Sequence, residues 1–375
     1  MNRREFLGAL AALPFPAEPG FTALFDGTSL AGWSVQDGPE SAFYADKGDM
    51  VAHASSEYPA WLRSAARYEN FELRSDFFLR GWIDGGVYLH APEHGRASWC
   101  GFKINIFHQR DERPAANSMG AIFPLIAPAK VNVRNQGEWN SLRILMDWPA
   151  LRVWVNDEQV QDANCEAHPE LRHRLRSGYL GLVALGYPLR LRNLRMRELP
   201  PKERWEALYE KPEDFGKWFL SENSERAPAR FVPAGGVLWA DGSGSLATKE
   251  KYRDFELHLY VRHARHHNGG ILFRSEGRGL PGKRRYEIQL HDVEEAHFPT
   301  GSLYSFERAK YPRIEAGKWF LVQLRVEGKR CLVRIDGETV LDYDKLENLE
   351  EGHLELQAHA PGRWTEFKQV RVKRL

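Results

Sequence analysis

The chain has 375 residues, 42% of them hydrophobic and 27% charged, with 52 basic against 51 acidic side chains. A net charge of +1 gives no field for a nucleic acid or an anionic membrane. No apolar run approaches the roughly 18 residues of a membrane span, so an integral membrane protein, a DNA-binding protein and a coiled coil are all excluded.

Met1-Asn2-Arg3-Arg4-Glu5-Phe6-Leu7 opens the chain, and a short apolar stretch and Pro14-Phe15-Pro16-Ala17 follow it. A charged start, about ten apolar residues and a small residue near their end are the marks of a bacterial export signal. The paired Arg3-Arg4 gives it a twin-arginine character. Residues 1–18 are therefore set apart as an address, and the expected location is periplasmic or extracellular.

The rest of the chain repeats itself. Tyr68-Glu69-Asn70-Phe71-Glu72-Leu73 returns as Tyr252-Arg253-Asp254-Phe255-Glu256-Leu257. Asp84-Gly85-Gly86-Val87 returns as Asn268-Gly269-Gly270-Ile271, and Gly137-Glu138-Trp139 as Gly317-Lys318-Trp319. Leu24 and Trp33 have counterparts in Leu208 and Trp218. Near-constant spacing over so many matches is the signature of a tandem duplication. The expected organisation is a first domain over 19–198, a linker at 199–204 containing Pro200-Pro201, and a second domain over 205–375.

Inside each copy the apolar residues alternate with period two, as in Phe255-Glu256-Leu257-His258-Leu259 and Cys331-Leu332-Val333-Arg334-Ile335. Asn156-Asp157 and Asp336-Gly337 mark tight hairpins. Many short strands and no long helical stripe predict an all-β fold with one sandwich or jelly roll per copy. Cys100, Cys165 and Cys331 have no metal-type or disulfide-type spacing and suit buried small hydrophobes.

These motifs together resemble the 3-keto-disaccharide hydrolase family. Phe25-Asp26-Gly27-Thr28-Ser29-Leu30-Ala31-Gly32-Trp33 is similar to its opening. Tyr286-Glu287-Ile288-Gln289-Leu290-His291-Asp292 and Thr300-Gly301-Ser302-Leu303-Tyr304 are similar to its later strand and turn. The resemblance implies two tandem concanavalin A-like or laminin-G-like jelly-roll β-sandwiches and a saccharide or glycoside ligand. It also implies a reaction on glycosides carrying a ketone at C3: proton removal from C2, elimination of the anomeric group, and hydration.

Period two sends Tyr286, Ile288 and Leu290 into the core and Glu287, Gln289 and His291 outward, with Arg274 expected beside them from the neighbouring strand. Under the resemblance, Glu287 or His291 is the base and Arg274 or a bound cation stabilises the enolate. Gln289 would orient hydroxyls, with Asp292 close by. The first copy carries Tyr88, His90, Lys103 and Asn105 at the corresponding places and lacks the carboxylate, which suits binding or a diverged specificity. The rival to a site is a solvated strand face, because alternate polar residues mark any half-exposed sheet. Asp292, Glu294 and Glu295 form either a seat for a hard cation such as Ca²⁺ or an acidic surface turn. His263, His266 and His267, interleaved with Arg262 and Arg265, are expected as a solvated basic loop rather than a metal site. A two-carboxylate glycosidase is disfavoured, since no E-x-D-x-x-E strand is found. A non-catalytic lectin-like pair of modules is the opposing reading, and a scaffold that binds a protein partner is a third.

Overall fold

The structure, a computed structural model, describes residues 18–53, 60–108, 113–276 and 285–375. The expected export segment lies outside the described residues but for Glu18. Contacts divide the chain into two compact units, 1–202 and 203–375.

Each unit is a pair of antiparallel sheets packed over one apolar core. Among the described residues the first unit has an eight-stranded and a six-stranded sheet, and the second an eight-stranded and a five-stranded one. This is the all-β double sandwich that the strand pattern predicts. In the second unit the five-stranded sheet runs Trp218–Asn223, Gly244–Thr248, His353–Ala358, Asn268–Ser275, Tyr286–His291. Its inner face supplies Leu246, Leu354, Leu356, Ile271, Phe273, Tyr286, Ile288 and Leu290 to the core. Phe255, Leu257, Leu259 and Val261 meet them from the opposite sheet. Strict alternation is enough to sort these residues, because successive side chains on a strand point to opposite faces.

The repeated motifs have repeated jobs. Trp33 Nε1 donates to the carbonyl of Leu24 at 2.7 Å, and Trp218 Nε1 to that of Leu208 at 2.9 Å. The opening leucine and tryptophan thus close the same loop in both copies. Asn156 and Asp157 have φ of 50° and 64°, and Asp336 and Gly337 of 47° and 81°, the paired left-handed residues of a two-residue hairpin. Asn156 Oδ1 then accepts from Ser141 N, and Asp336 Oδ1 from Leu321 N. The three cysteines are buried and unbridged.

Candidate functional site

The Tyr286–His291 strand lies at an edge of its sheet, with one side paired to Asn268–Ser275. Its free side is covered by the Thr300–Tyr304 turn. Gly301 N donates to Gln289 O, Ser302 O accepts from Gln289 N, and Tyr304 N donates to Glu287 O, each at 2.9 Å. The Thr300 hydroxyl oxygen accepts from His291 N at 2.7 Å. An edge that would otherwise fray is thereby fixed, and its outward side chains gain a rigid base.

Two of those outward side chains, Glu287 and Gln289, are not solvated, and His291 is half-buried. Glu287 is 5% exposed, Gln289 4%, and Glu355 on the His353–Ala358 strand 0%. A solvated strand face would leave all three wet, and here all three are buried. Glu287, Leu272 and Glu355 lie side by side across three strands, and Gln289, Gly270 and Gln357 form the next row. Gln289 Nε2 donates to Asn268 Oδ1 at 2.6 Å. The Ser221 hydroxyl donates to Glu355 Oε2 at 2.9 Å, while Glu355 Oε1 is buried with no hydrogen-bond partner among the described residues.

Gly270 makes room for the acid. A Cβ on Gly270 would come within 2.6 Å of Glu287 Cγ and 2.8 Å of its Cδ, so the carboxyl group lies over bare backbone. Burial raises the Glu287 carboxyl from 4.5 to about 7; nearby Glu222 and Glu355 push the same way, and Arg285 opposes them. A buried carboxylic acid that titrates near neutrality is suited to proton transfer. The cation beside it is Arg285, nearly fully buried, whose guanidinium donates to Glu222 Oε1 at 2.9 Å.

Other expected members are elsewhere. Arg274 has φ of 48° at a register shift in its strand, and this left-handed bulge turns its side chain away from Glu287. Its guanidinium donates to the carbonyls of Arg253 and Asn348 and to Asp254 Oδ1, at 2.9 to 3.0 Å. Arg274 therefore ties a turn to a loop instead of facing the site. His90 has the same role in the first copy. It too has a left-handed φ, of 51°, and its ring nitrogens lie 2.8 and 2.6 Å from the carbonyl oxygens of Leu175 and Glu69. The alternation rule fails at both positions for one reason: a bulge reverses the facing.

His291 shares the outer face with Glu287 but lies four residues along the strand, about 13 Å away. The two do not converge on one proton. Asp292 Oδ2 accepts from His266 N at 2.9 Å, which places this carboxylate at the end of the sandwich. Among the described residues no group of three His, Cys, Asp or Glu side chains is arranged to hold a metal ion.

The basic loop also departs from expectation. Arg265 and His266 are exposed, but His263 and His267 are fully buried and stacked, with ring centroids 4.9 Å apart. Their Nδ1 atoms donate to the carbonyls of Ala264 and Arg363. Burial holds both imidazoles below their usual range, His267 at about 3.

In the first copy Lys103 stands where Glu287 stands in the second, and it lies over Gly86 as Glu287 lies over Gly270. Lys103 Nζ is 3.2 Å from Asp84 Oδ1 and 4.7 Å from the Phe123 ring centroid. Desolvation lowers the lysine's pKa. Tyr88 pairs directly with Lys103 across the strands and meets Trp61 edge-on at 5.5 Å. Burial pushes the Tyr88 phenol up to about 12. Asn105 is buried and donates to the Asn117 carbonyl.

The 3-keto-alpha-glucoside-1,2-lyase-like domain matches this chain twice, over residues 20–197 and 204–373. The chain belongs to that family. Two tandem copies account for the internal repeat, and the family is one of carbohydrate-acting, glycosyl hydrolase-like proteins. Among solved structures, the chain is similar to a candidate glycosyl hydrolase from Parabacteroides distasonis at 18% identity. That match covers 48% of this chain and 94% of the other, with a TM-score of 0.43. It is also similar to the carbohydrate-binding module CBM66 from Bacillus subtilis, at 16% identity over 42% of this chain and 95% of that one, with a TM-score of 0.32. A search of the curated proteins finds no match.

Sequence reasoning missed Arg285, Glu222 and Glu355. Arg285 was within reach, because it precedes Glu287 by two residues and so shares its face. Glu355 sits in an equally clear alternation, Leu354-Glu355-Leu356-Gln357. Its place in the same row as Glu287, two strands away, depends on pairing between strands far apart in sequence, which alternation does not reveal.

Proposed function

We propose that this chain cleaves 3-keto-glycosides, with the reaction on the outer face of the five-stranded sheet of the second copy. Glu287 is the base. It takes the proton from C2, and the electron pair of that C–H bond becomes the C2–C3 double bond of an enolate whose charge sits on the C3 oxygen. The enolate then collapses to the C3 ketone and a C1–C2 double bond, the C1–O bond breaks, and the aglycone oxygen leaves with the proton that Glu287 took from C2, which restores the carboxylate. Water adds across the C1–C2 double bond, hydroxyl to C1 and hydrogen to C2, so the net change is hydrolysis.

The observation that carries this reading is the Glu287 carboxyl itself, buried over Gly270 and titrating at about 7. Arg285 replaces Arg274 as the cation near the developing enolate, because a fixed positive group in a dry site stabilises such charge strongly. Gln289, held by Asn268, is the group that orients a sugar hydroxyl. The export-type N-terminus read from the sequence supports a reaction in the periplasm or outside the cell.

A second reading is favoured by one observation. The first copy has Lys103 at the acid position and an apolar outer cluster of Trp61, Val183 and Tyr88, which suits glycan binding without turnover. The test is a panel of 3-keto-glycosides with their unoxidised parents, each with and without chelator. The proposal expects cleavage of the keto forms alone, abolished in Glu287→Gln and retained in His291→Ala. Cleavage of the unoxidised parents would instead make Glu287 and Glu355 an ordinary glycosidase pair. No cleavage with retained glycan binding would leave the lectin-like reading.

A further inference from the structure

The first copy carries a pair of aromatic rings that the proposed reaction does not use. Trp82 and Tyr187 are 49% and 57% exposed, the most exposed of the large apolar side chains among the described residues. They lie on neighbouring loops that are joined by a hydrogen bond from Tyr187 N to Trp82 O at 2.9 Å.

Each ring rests on a glycine of the other loop. A Cβ on Gly186 would meet the Trp82 ring, with Cζ3 at 2.7 Å, and a Cβ on Gly81 would meet the Tyr187 ring, with Cε2 at 2.8 Å. Gly186 also has φ of 89°, a conformation that glycine adopts without strain. Exposed aromatic side chains usually swing freely, yet these two are seated by reciprocal packing on bare backbone. Ordering them on a ligand therefore costs little side-chain entropy.

Polar groups stand next to the rings. Asp84 follows Trp82 by two residues, about 7 Å along the chain. Its side chain stays a third exposed while Lys103 holds one oxygen at 3.2 Å. His108 lies beside Trp82, with ring centroids 6.1 Å apart. Flat apolar rings beside a carboxylate and an ammonium match a pyranose, which has an apolar C–H face and a rim of hydroxyls. At the matching positions of the second copy, Gly81 and Trp82 become Arg265 and His266. The platform belongs to the first copy alone.

We propose that Trp82 and Tyr187 form a saccharide-binding platform in the first copy, with the sugar's C–H face on the rings and its hydroxyls on Asp84 and Lys103. The platform retains a glycan while the second copy does chemistry. This rests on the saccharide reading of the family and not on the 3-keto mechanism.

The test is affinity electrophoresis of the full chain in native gels cast with laminarin, dextran or galactomannan. The wild type is expected to be retarded in at least one gel. Trp82→Ala and Tyr187→Ala should each weaken that retardation about tenfold, the loss of one aromatic contact, while Tyr187→Phe keeps it. Both positions are exposed, and an unchanged Tm checks that the variants fold. Turnover of a small 3-keto-glycoside should be unaltered in both variants. Retardation that persists in Glu287→Gln but vanishes in Trp82→Ala supports the platform even if the cleavage proposal fails. No retardation in any gel overturns it, as does retardation that survives both alanine variants. Concentration-dependent self-association lost in Trp82→Ala, without any retardation, would also overturn it and assign the rings to a contact between copies of the chain.

Discussion

Replacing Glu287 by Gln should do two opposite things at once. The carboxyl is buried and titrates at about 7 instead of 4.5, so the folded state disfavours its ionised form. For an acid raised in this way the penalty is absent below about 4.5, grows as the pH rises, and is complete above about 7. A shift of that size corresponds to about 3 kcal/mol at ~1.4 kcal/mol per pH unit. Glu287→Gln keeps the shape and removes the charge. At pH 8 it should therefore be more stable than the wild type by up to about 3 kcal/mol, or roughly 6–12 °C in the Tm of a unit this size. At pH 4.5 the two proteins should melt together. Turnover of a 3-keto-glycoside should fall to background at every pH, while the wild-type rate rises with pH to a plateau above about 7. Paired melting curves and rate profiles from pH 4.5 to 8.5 provide the check. A variant equally or less stable at pH 8, or one that still turns over, would refute the picture of a strained, functional acid.

Other substitutions test neighbouring parts of the account. Gly270→Ala should displace the Glu287 carboxyl while leaving the fold intact, since the colliding atoms belong to a side chain. Activity should drop about tenfold or more, with the kinetic pKa moving down towards an ordinary carboxylate, and a pH–rate profile reads both. Arg274→Met should cost about 1–3 kcal/mol, because it takes a buried donor from the carbonyls of Arg253 and Asn348, while Asp254 keeps Gly328 N and Arg253. Activity per folded molecule should nevertheless persist, as denaturant titration beside active-site-normalised rates would reveal. Burial lowers the pKa of both His263 and His267, so the second copy should lose stability as the pH falls below about 6.5, for His267 down to about 3. His267 contributes up to about 1.4 kcal/mol per pH unit in that window. His267→Gln should shift the acid transition to lower pH when followed by tryptophan fluorescence.

Much of this protein is readable from its residues because its strands obey period two. Ile288, Leu290, Ile271 and Phe273 go to the core as alternation requires, and the repeat spacing alone announces two copies of one sandwich. The failures share a physical cause. Alternation holds only while a strand is regular, and the left-handed bulges at His90 and Arg274 send those side chains to the opposite face. Composition misleads at His263 and His267, where flanking arginines suggest solvent but the loop folds inward and stacks the rings. Neither the burial of Glu287 nor its closeness to Glu355 is local in sequence, since both depend on the order of strands in the sheet.

The claim that Glu287 removes a carbon-bound proton can be met head-on by following C2 of a 3-keto-glycoside by NMR in deuterated buffer. With a slowly leaving aglycone, the wild type should wash deuterium into C2 faster than it cleaves the glycoside, and Glu287→Gln should leave C2 protonated. Cleavage with no exchange and no deuterium at C2 of the released 3-keto sugar, or exchange undiminished in Glu287→Gln, would contradict the account.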